Sequence, residues 1–368
     1  MLQINMLEIT MKKIRIAIVI PALDEEKYIG KCLLSVLNSY MNLSSDEKKN
    51  VFIVVADNNS VDRTKEIVDV FRKKYPNIFK ITENKIGQGY ARSAGVNFVL
   101  RYLYKSEEDY WIISTDADVQ VPKNWLSKWF KILQNENVST IITGNSQFDS
   151  LFEKNYPNST IVLEKLFQNI LKLEKLFGVI NVDGFNSAIK LDTYSKVGPY
   201  IQPIKKLDSG KIVNLAGEDW DLSTRARILT FTVKRNIFST VTTSSRRFEF
   251  NPKKYLNGTT YESSFSKIDG DFTGLDIPKE KIKYYINIGN LRLCTHFVEK
   301  IILVDNKILK KIDVKKKLGT DLIVNIQNTI LNEKPPDFLQ ERNMFIEYLL
   351  FFHKQYGEKI KERLFSVE

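Results

Sequence analysis

The stretch Trp111-Ile112-Ile113-Ser114-Thr115-Asp116-Ala117-Asp118 runs from an apolar, β-branched segment directly into two aspartates separated by one residue. A short apolar run that stops at turn-forming polar residues reads as a buried strand delivering carboxylates at its C-terminal end. Towards the N-terminus, residues 14–20 form a first strand that Pro21 ends, and residues 26–38 carry Ile29, Leu33, Leu34 and Leu37 at helical spacing. Residues 51–56 are a second strand, residues 62–75 a helix capped by Ser60 or Asp62, and residues 78–82 a third strand. Gly87 and Gly89 then open a helix that reaches about Tyr104. This alternation predicts an α/β fold with a mostly parallel sheet. Open sheets of that kind bind ligands beyond the carboxyl ends of their strands, where all these polar clusters lie.

Beyond Thr140 the pattern is mixed. Residues 140–144, 185–190 and 231–235 read as strands, and residues 161–177 and 218–229 as helices. Leu166, Phe167, Ile170, Leu173 and Phe177 make one stripe of the first of these helices, expected to be core. The rhythm is lost after about Phe250, and from Ile286 the tail is helical. The expected organisation is a short N-terminal tail (1–13), an α/β domain (14–250) and a mainly helical C-terminal region (251–368). Tyr284, Tyr285, Phe345, Tyr348, Phe351 and Phe352 are expected to form the core of that region rather than a sugar-stacking platform.

The chain has 368 residues, 43% hydrophobic and 27% charged, which excludes a disordered polymer and suffices for one large domain with an appendage. Its longest apolar run, residues 14–23, is broken by Arg15 and Pro21 and falls short of the roughly 20 residues that cross a bilayer. Residues 1–13 lack the pattern of a secretory leader, so a cytoplasmic location is expected. Cys32 and Cys294 have no metal-type spacing, and Cys32 reads as a buried thiol on the first helix. A net charge of +11 suits an anionic lipid surface, a phosphorylated substrate or nucleic acid. No nucleic-acid-binding motif or aromatic platform accompanies it, so nucleic acid is not an expected partner. The densest cluster, Lys310, Lys311, Lys315, Lys316 and Lys317, reads as a solvated helix face.

Two carboxylates spaced as Asp116 and Asp118 reach one hard cation and the diphosphate that it bridges, although aspartates also form turns for their own sake. Other strand ends carry Pro21-Ala22-Leu23-Asp24-Glu25-Glu26, Asp57-Asn58-Asn59-Ser60-Val61-Asp62-Arg63-Thr64 and Gly87-Gln88-Gly89-Tyr90-Ala91-Arg92-Ser93-Ala94-Gly95. Further on stand Gly184-Phe185-Asn186-Ser187-Ala188-Ile189-Lys190 and Gly217-Glu218-Asp219-Trp220-Asp221-Leu222. In order, spacing and placement these segments resemble the family 2 glycosyltransferases of GT-A fold, over residues 14–250.

The resemblance implies a Rossmann-like three-layer α/β/α domain that uses a nucleoside-diphosphate sugar, UDP favoured, in an inverting transfer with Mn²⁺ or Mg²⁺. It implies that Pro21, Ala22, Leu23, Asp24, Glu26, Asn59, Gly89, Arg92 and Ala117 border the nucleotide-sugar pocket and that Asp57 accepts a hydrogen bond from the base. Asp116 would lie by the ribose and metal, with Asp118 the direct metal ligand. Asp219 is the expected general base with Glu218 beside it, as an unpaired carboxylate in a partly dry cleft; capping a helix is the plainer role for Glu218, Asp219 and Asp221. Gly184, Phe185, Asn186, Trp220, Arg246 and Arg247 are expected on the acceptor or phosphate side. His296 and His353, both in the tail, are expected to be structural, which leaves the metal to aspartate, phosphate and water. The acceptor is expected to be a glycan, a lipid-linked glycan or a protein, with peripheral contact to the inner face of an anionic membrane and a homo-oligomer left open. A catalytically inactive GT-A domain that only binds nucleotide sugar or glycan is the competing reading. A nucleotidyltransferase would carry glycine in residues 21–26, and there is none.

Overall fold

Period-two geometry on the first strand, β1 (Ile14–Ala22), sets the layering. Ile16, Ile18 and Ile20 pack in one buried cluster, Ala17 and Val19 in another on the opposite face. A strand buried on both faces is what a parallel sheet between two helical layers requires. The structure is a computed structural model that describes residues 13–136, 140–201, 204–206, 212–214, 217–245, 276–303 and 311–365.

After β1 come α1 (Ile29–Met41), α2 (Ser45–Lys48), β2 (Val51–Asp57), α3 (Thr64–Lys74), β3 (Ile78–Thr82) and α4 (Gln88–Phe98), which runs on as a π-helical turn, Val99–Leu103. There follow β4 (Asp109–Ser114), β5 (Val119–Gln120), α5 (Trp125–Gln134), β6 (Thr140–Gln147), α6 (Ser150–Asn155), α7 (Pro157–Phe177), β7 (Ser187–Lys190) and α8 (Leu191–Val197). The short pair β8 (Ile204–Lys206) and β9 (Ile212–Asn214) precedes α9 (Glu218–Ile228) and β10 (Thr232–Thr243). The tail contributes α10 (Ile282–Leu303), α11 (Ile312–Leu318), α12 (Thr320–Glu333) and α13 (Arg342–Phe365).

The main sheet has the order β3-β2-β1-β4-β7-β6-β10-β5. Strands β3, β2, β1 and β4 are mutually parallel, β7 is antiparallel to both β4 and β6, and β10 runs parallel to β6. The chain steps from β1 outward to β3, then crosses back to β4 on the other side of β1. That reversal opens a crevice at the carboxyl ends of β1 and β4, the usual ligand position in such sheets. One helical layer puts α1, α3 and α5 against Ile16, Ile18 and Ile20, and holds the buried Trp125 and Trp129; the other puts α4, α8 and α9 against Ala17 and Val19. Together they make the expected three-layer α/β/α domain.

Several boundaries differ from the sequence reading. Pro21 does not end β1, which continues to Ala22 in register with Asp57. Val19 O accepts from Thr115 N and Ala22 O from Asn58 N, so Pro21 faces the β4 side, where the ladder has stopped at Val19. Its missing N–H therefore removes no ladder bond. Helix α1 starts at Ile29 rather than residue 26, because residues 25–28 close a turn in which Tyr28 N and Ile29 N both donate to Glu25 O. Helix α5 and strand β5 are additions to that reading. The amphipathic run Trp125, Leu126, Trp129, Phe130 and Leu133 packs α5 into the core, and Pro122 with Asn124, its N-cap residue, marks its start.

The tail shares a core with the α/β domain. Leu173 and Phe177 of α7 and Trp220 of α9 pack with Phe338, Phe345, Phe352 and Ile360. Of the stripe on α7, Leu173 and Phe177 thus enter this core and Leu166 packs in a separate cluster with Phe152, Val162 and Ile277, whereas Phe167 and Ile170 are only half-buried. Phe345 and Phe352 are buried as expected, whereas Tyr284 and Phe351 are half exposed. Lys311, Lys315, Lys316 and Lys317 lie on exposed positions around α11. Among the described residues no helix is long and apolar enough to cross a membrane.

Candidate active site

Two loops laced side by side form one wall of the crevice. Asp24 N donates to Ser60 Oγ (3.0 Å), and Asp24 Oδ1 accepts from Val61 N (2.8 Å). Glu25 N donates to Thr64 Oγ1 (2.8 Å), Glu26 N to Asp62 Oδ2 (2.9 Å), and Arg63 N to Glu26 Oε2 (3.2 Å). Asp24 and Asn59 both take left-handed backbone, at φ of 53° and 65°, where aspartate and asparagine are the least costly residues after glycine. Asp24 and Glu26 thus frame the crevice by holding its neighbouring loop. Asp62 also accepts from Thr64 N, but the N-cap of α3 is Arg63, not Ser60 or Asp62 as expected, because the helix starts at Thr64.

Asn58, absent from the expected site, ties in the third loop. Its Nδ2 donates to Glu83 O (2.8 Å) and Lys85 O (2.7 Å), and its Oδ1 accepts from Gly87 N (2.7 Å). Gly87, at φ 142°, can be only glycine without strain, and it starts α4 with Gly89 buried in the first turn. Asn59 likewise donates to Asn84 O (2.8 Å), so its carboxamide is used within the loops. Asp57, the last residue of β2, is different. Its carboxylate is buried and neither oxygen has a hydrogen-bond donor; Lys65 Nζ stands 3.6 Å from Oδ2.

Helix α4 sends Arg92 into the centre, where its side chain is 1% exposed. Arg92 Nε donates to Glu218 Oε1 (3.0 Å), Nη1 to Ser114 Oγ, and Nη2 to Asp116 Oδ1. Gln88 Nε2 donates to the same Asp116 oxygen (2.9 Å), and Tyr200 lies under the guanidinium at 5.9 Å. Arg92 is thus buried at the hub of the site, not on a helix surface. Ala117 is buried in the core below the turn, which leaves Asp116 and Asp118 half-buried at its rim. Cys32 Sγ donates to Asp116 O (3.4 Å), and burial, with Asp118 and Asp116 nearby, pushes its thiol far above the usual range. It is an inert wedge under the turn.

The acidic segment opens α9, whose N-terminus favours negative charge. Its three carboxylates have separate fates. Glu218 is buried on Arg92; burial, and then the neighbouring Asp219, raise its proton affinity against the pull of Arg92. Asp219 is half-buried and, contrary to expectation, not unpaired: Oδ2 accepts from Gly184 N (3.1 Å) and Oδ1 from Trp220 N (2.8 Å). Burial still raises its proton affinity above the ordinary carboxylate range. Asp221 is fully buried in ion pairs with Arg225 (2.7 Å) and Arg342 (2.6 Å), which removes it from the crevice.

The expected acceptor side is only partly assembled. Gly184 lies against the site, since a Cβ there would meet Arg92 Nη2 at 2.9 Å and Asp219 Oδ2 at 3.3 Å. Phe185 packs on the sheet core. Asn186 is fully buried with its carboxamide spent on Trp125 Nε1 (3.1 Å), Asn145 O (2.9 Å) and Ser239 O (3.0 Å), so it cross-links strands rather than facing a substrate. Trp220 turns into the tail, edge-on to Phe338 at 5.7 Å. Arg246 and Arg247 lie outside the described residues, as does the side chain of His296. His353 is half-buried beside Gly357, and burial lowers its proton affinity. Among the described residues no group of three or more His, Cys, Asp or Glu could hold a metal.

Residues 17–198 match the family model for glycosyl transferase family 2. The chain belongs to that family. A poly(ribitol-phosphate) beta-glucosyltransferase of Bacillus spizizenii is 29% identical over 161 residues, 41% of this chain and 23% of that protein. A dolichyl-phosphate beta-glucosyltransferase of Trichomonas vaginalis is 40% identical over 84 residues, 22% of this chain and 25% of that protein. The matched parts thus span about a quarter of these relatives' lengths (23% and 25%). Among solved structures, the mannosyltransferase PcManGT from Pyrobaculum calidifontis in complex with GDP-Man and Mn²⁺ aligns at a TM-score of 0.47 and 13% identity, over 96% of this chain and 88% of that one. Within this family 2 chain, Arg92 joins the segment after β3 to Asp116 and Glu218, and Asn58 ties in the segment after β2.

Proposed function

We propose that the chain catalyses inverting transfer of a sugar from a nucleoside-diphosphate donor, with UDP favoured, to a hydroxyl group of a glycan or lipid-linked acceptor. The observation that carries this reading is the Arg92 bridge, which ties Asp116 to Glu218 and so puts the aspartate pair and the acidic segment in one crevice. Asp57 supports the donor assignment, because two buried oxygens without donors suit the N–H of a nucleobase. Asp118, with Asp116, would hold Mn²⁺ or Mg²⁺. Two carboxylates are a partial donor set, which suits an ion that keeps water and phosphate oxygens as its other ligands. When bound, such an ion neutralises charge on a departing diphosphate.

Asp219 takes the proton of the acceptor hydroxyl while that oxygen bonds to the anomeric carbon, and the bond to the diphosphate breaks on the opposite face with its electron pair. The Gly184 and Trp220 amides keep the carboxylate in one orientation. Burial raises its proton affinity towards the value a general base needs. Arg92, held by Glu218, keeps a positive charge beside the donor phosphates. The two beta-glucosyltransferases above are named for polyol-phosphate and lipid-phosphate acceptors, and the net charge of +11 suits an acceptor of that kind. The same charge would hold the enzyme at an anionic membrane, which co-sedimentation with anionic vesicles at low salt checks.

A thermal-shift panel of UDP, GDP, CDP and dTDP sugars, with and without Mn²⁺, tests the donor site on wild type and Asp118→Ala. Stabilisation by one nucleotide class, dependent on both Mn²⁺ and Asp118, is the expected result. No stabilisation by any of them would sink the reading in favour of an inactive domain.

A further inference from the structure

Behind the base lies a second polar cluster that the transfer chemistry does not use. Asp183 precedes Gly184, the residue whose N–H holds Asp219 Oδ2 at 3.1 Å. Three hydrogen bonds to two residues fix it. Thr143 Oγ1 on β6 accepts from Asp183 N (3.0 Å) and donates to Asp183 Oδ2 (3.1 Å), and Arg235 Nη1 on β10 donates to the same oxygen (3.0 Å). Arg235 is itself locked. Its Nε and Nη2 form a two-pronged pair with Glu174 of α7 (2.8 and 2.7 Å), and Nη1 also reaches Gly144 O (3.0 Å). A buried arginine held in a fork by one carboxylate has little freedom to release the other.

We propose that Asp183, clamped by Arg235 and Thr143, is a positioning residue for Asp219: it pins the Gly184 amide on the base and holds a second negative charge beside it. The proposal rests on the reading of Asp219 as the general base. The charged groups facing Asp219 are Arg92 from α4, Asp183 from the loop before β7, and Glu218 from its own helix. Burial raises the proton affinity of Asp219 most; against that background Arg92 favours the ionised base and Asp183 opposes it, so Asp183 shifts where the base gains and loses its proton. Asp183 in turn faces Arg235 and Glu174, so β10 and α7, neither of which reaches the substrate crevice through these side chains, tune the reaction.

The test is a cycle of wild type, Asp183→Asn, Asp219→Asn and the double variant, with thermal unfolding followed from mildly acidic to mildly alkaline pH and donor turnover measured on the same samples. The Asp183→Asn substitution keeps a carbonyl for Arg235 and Thr143 but loses the charge. Asp219 is raised in the folded state, so Asp219→Asn gains stability over wild type as pH rises. That gap is expected to shrink in the Asp183→Asn background, and the acid limb of kcat/KM to move to lower pH. A gap and an acid limb both indifferent to Asp183 overturn the proposal, because a purely structural role changes stability alike at every pH. Arg235→Lys, which keeps the charge but not the fork, is expected to lower kcat about tenfold with the donor KM unchanged. Equal loss in kcat and donor binding would count against positioning. If Asp219→Asn retains full turnover, the base assignment fails; the stability cycle still reports whether Asp183 and Asp219 are coupled.

Discussion

Arg92 Nε donates to Glu218 Oε1 at 3.0 Å across 126 positions of sequence, while the other end of the same guanidinium holds Asp116. One buried cation thus joins the aspartate turn to the acidic segment. Removing it would leave Glu218 buried and uncompensated. Arg92→Ala is expected to cost on the order of 3–5 kcal/mol in urea unfolding. Arg92→Lys is expected to lose less stability but most activity, because an ammonium cannot reach Glu218, Ser114 and Asp116 at once.

Activity is expected to rise with pH along an acid limb above the ordinary carboxylate range of about 4. Burial raises both Glu218 and Asp219, and the two titrate as a pair. The raised folded-state affinity means that these groups stabilise the fold while protonated. That contribution is complete below the unfolded carboxylate range and is lost as pH rises through the folded-state value. Asp219→Asn is expected to lower kcat by about 10²–10⁴-fold and to abolish the limb, read from a pH profile of nucleoside-diphosphate release.

Substitution of Asp57 is expected to separate binding from folding. Its carboxylate has no hydrogen-bond donor and lies 3.6 Å from Lys65. Asp57→Ala is expected to weaken nucleotide binding by about 1.5–3 kcal/mol in calorimetry. The unfolding midpoint of the free protein should hold or rise, since an unsatisfied buried carboxylate is removed. A fall in that midpoint with binding intact would refute the assignment.

Phe338 connects the tail to the helix that carries Asp219, the proposed base. Its ring is edge-on to Trp220 at 5.7 Å and to Phe345 at 5.4 Å. Phe338→Ala is expected to cost about 3–5 kcal/mol of stability. It should also lower kcat, because the Trp220 N–H is one of the two donors on Asp219.

The parallel half of the sheet was legible because each strand there is a continuous apolar run ending in turn residues, as in residues 51–56 and 78–82. Its carboxyl end was legible for the same reason: Asp57 and Asp116 stand where such runs stop. The functions of Asn186 and Trp220 were not legible. Nothing local tells that Asn186 meets Ser239 or that Trp220 meets Phe338, because both partners are distant in sequence. Asn58 stood inside a quoted segment, and its neighbour Gly87 was the available signal. Arg235 and Glu174 carried no signal, as an arginine in a strand and a glutamate on a helix read as surface until the fold buries them together. The carboxylates of the acidic segment could be sorted only by their partners, Arg92 for Glu218 and Arg225 with Arg342 for Asp221.

Asp221 Oδ1 lies 2.6 Å from Arg342, and Trp220 is embedded among residues of α13 and the segment before it. Evolution therefore cannot trade this tail freely for another. A chimera that grafted a relative's C-terminal helices after residue 245 would inherit an α9 cut to fit a different partner, with Trp220 and Asp221 left facing strangers. Divergence of this seam is accordingly expected to proceed by paired substitutions, with changes in the helices matched by changes at Trp220 and Asp221.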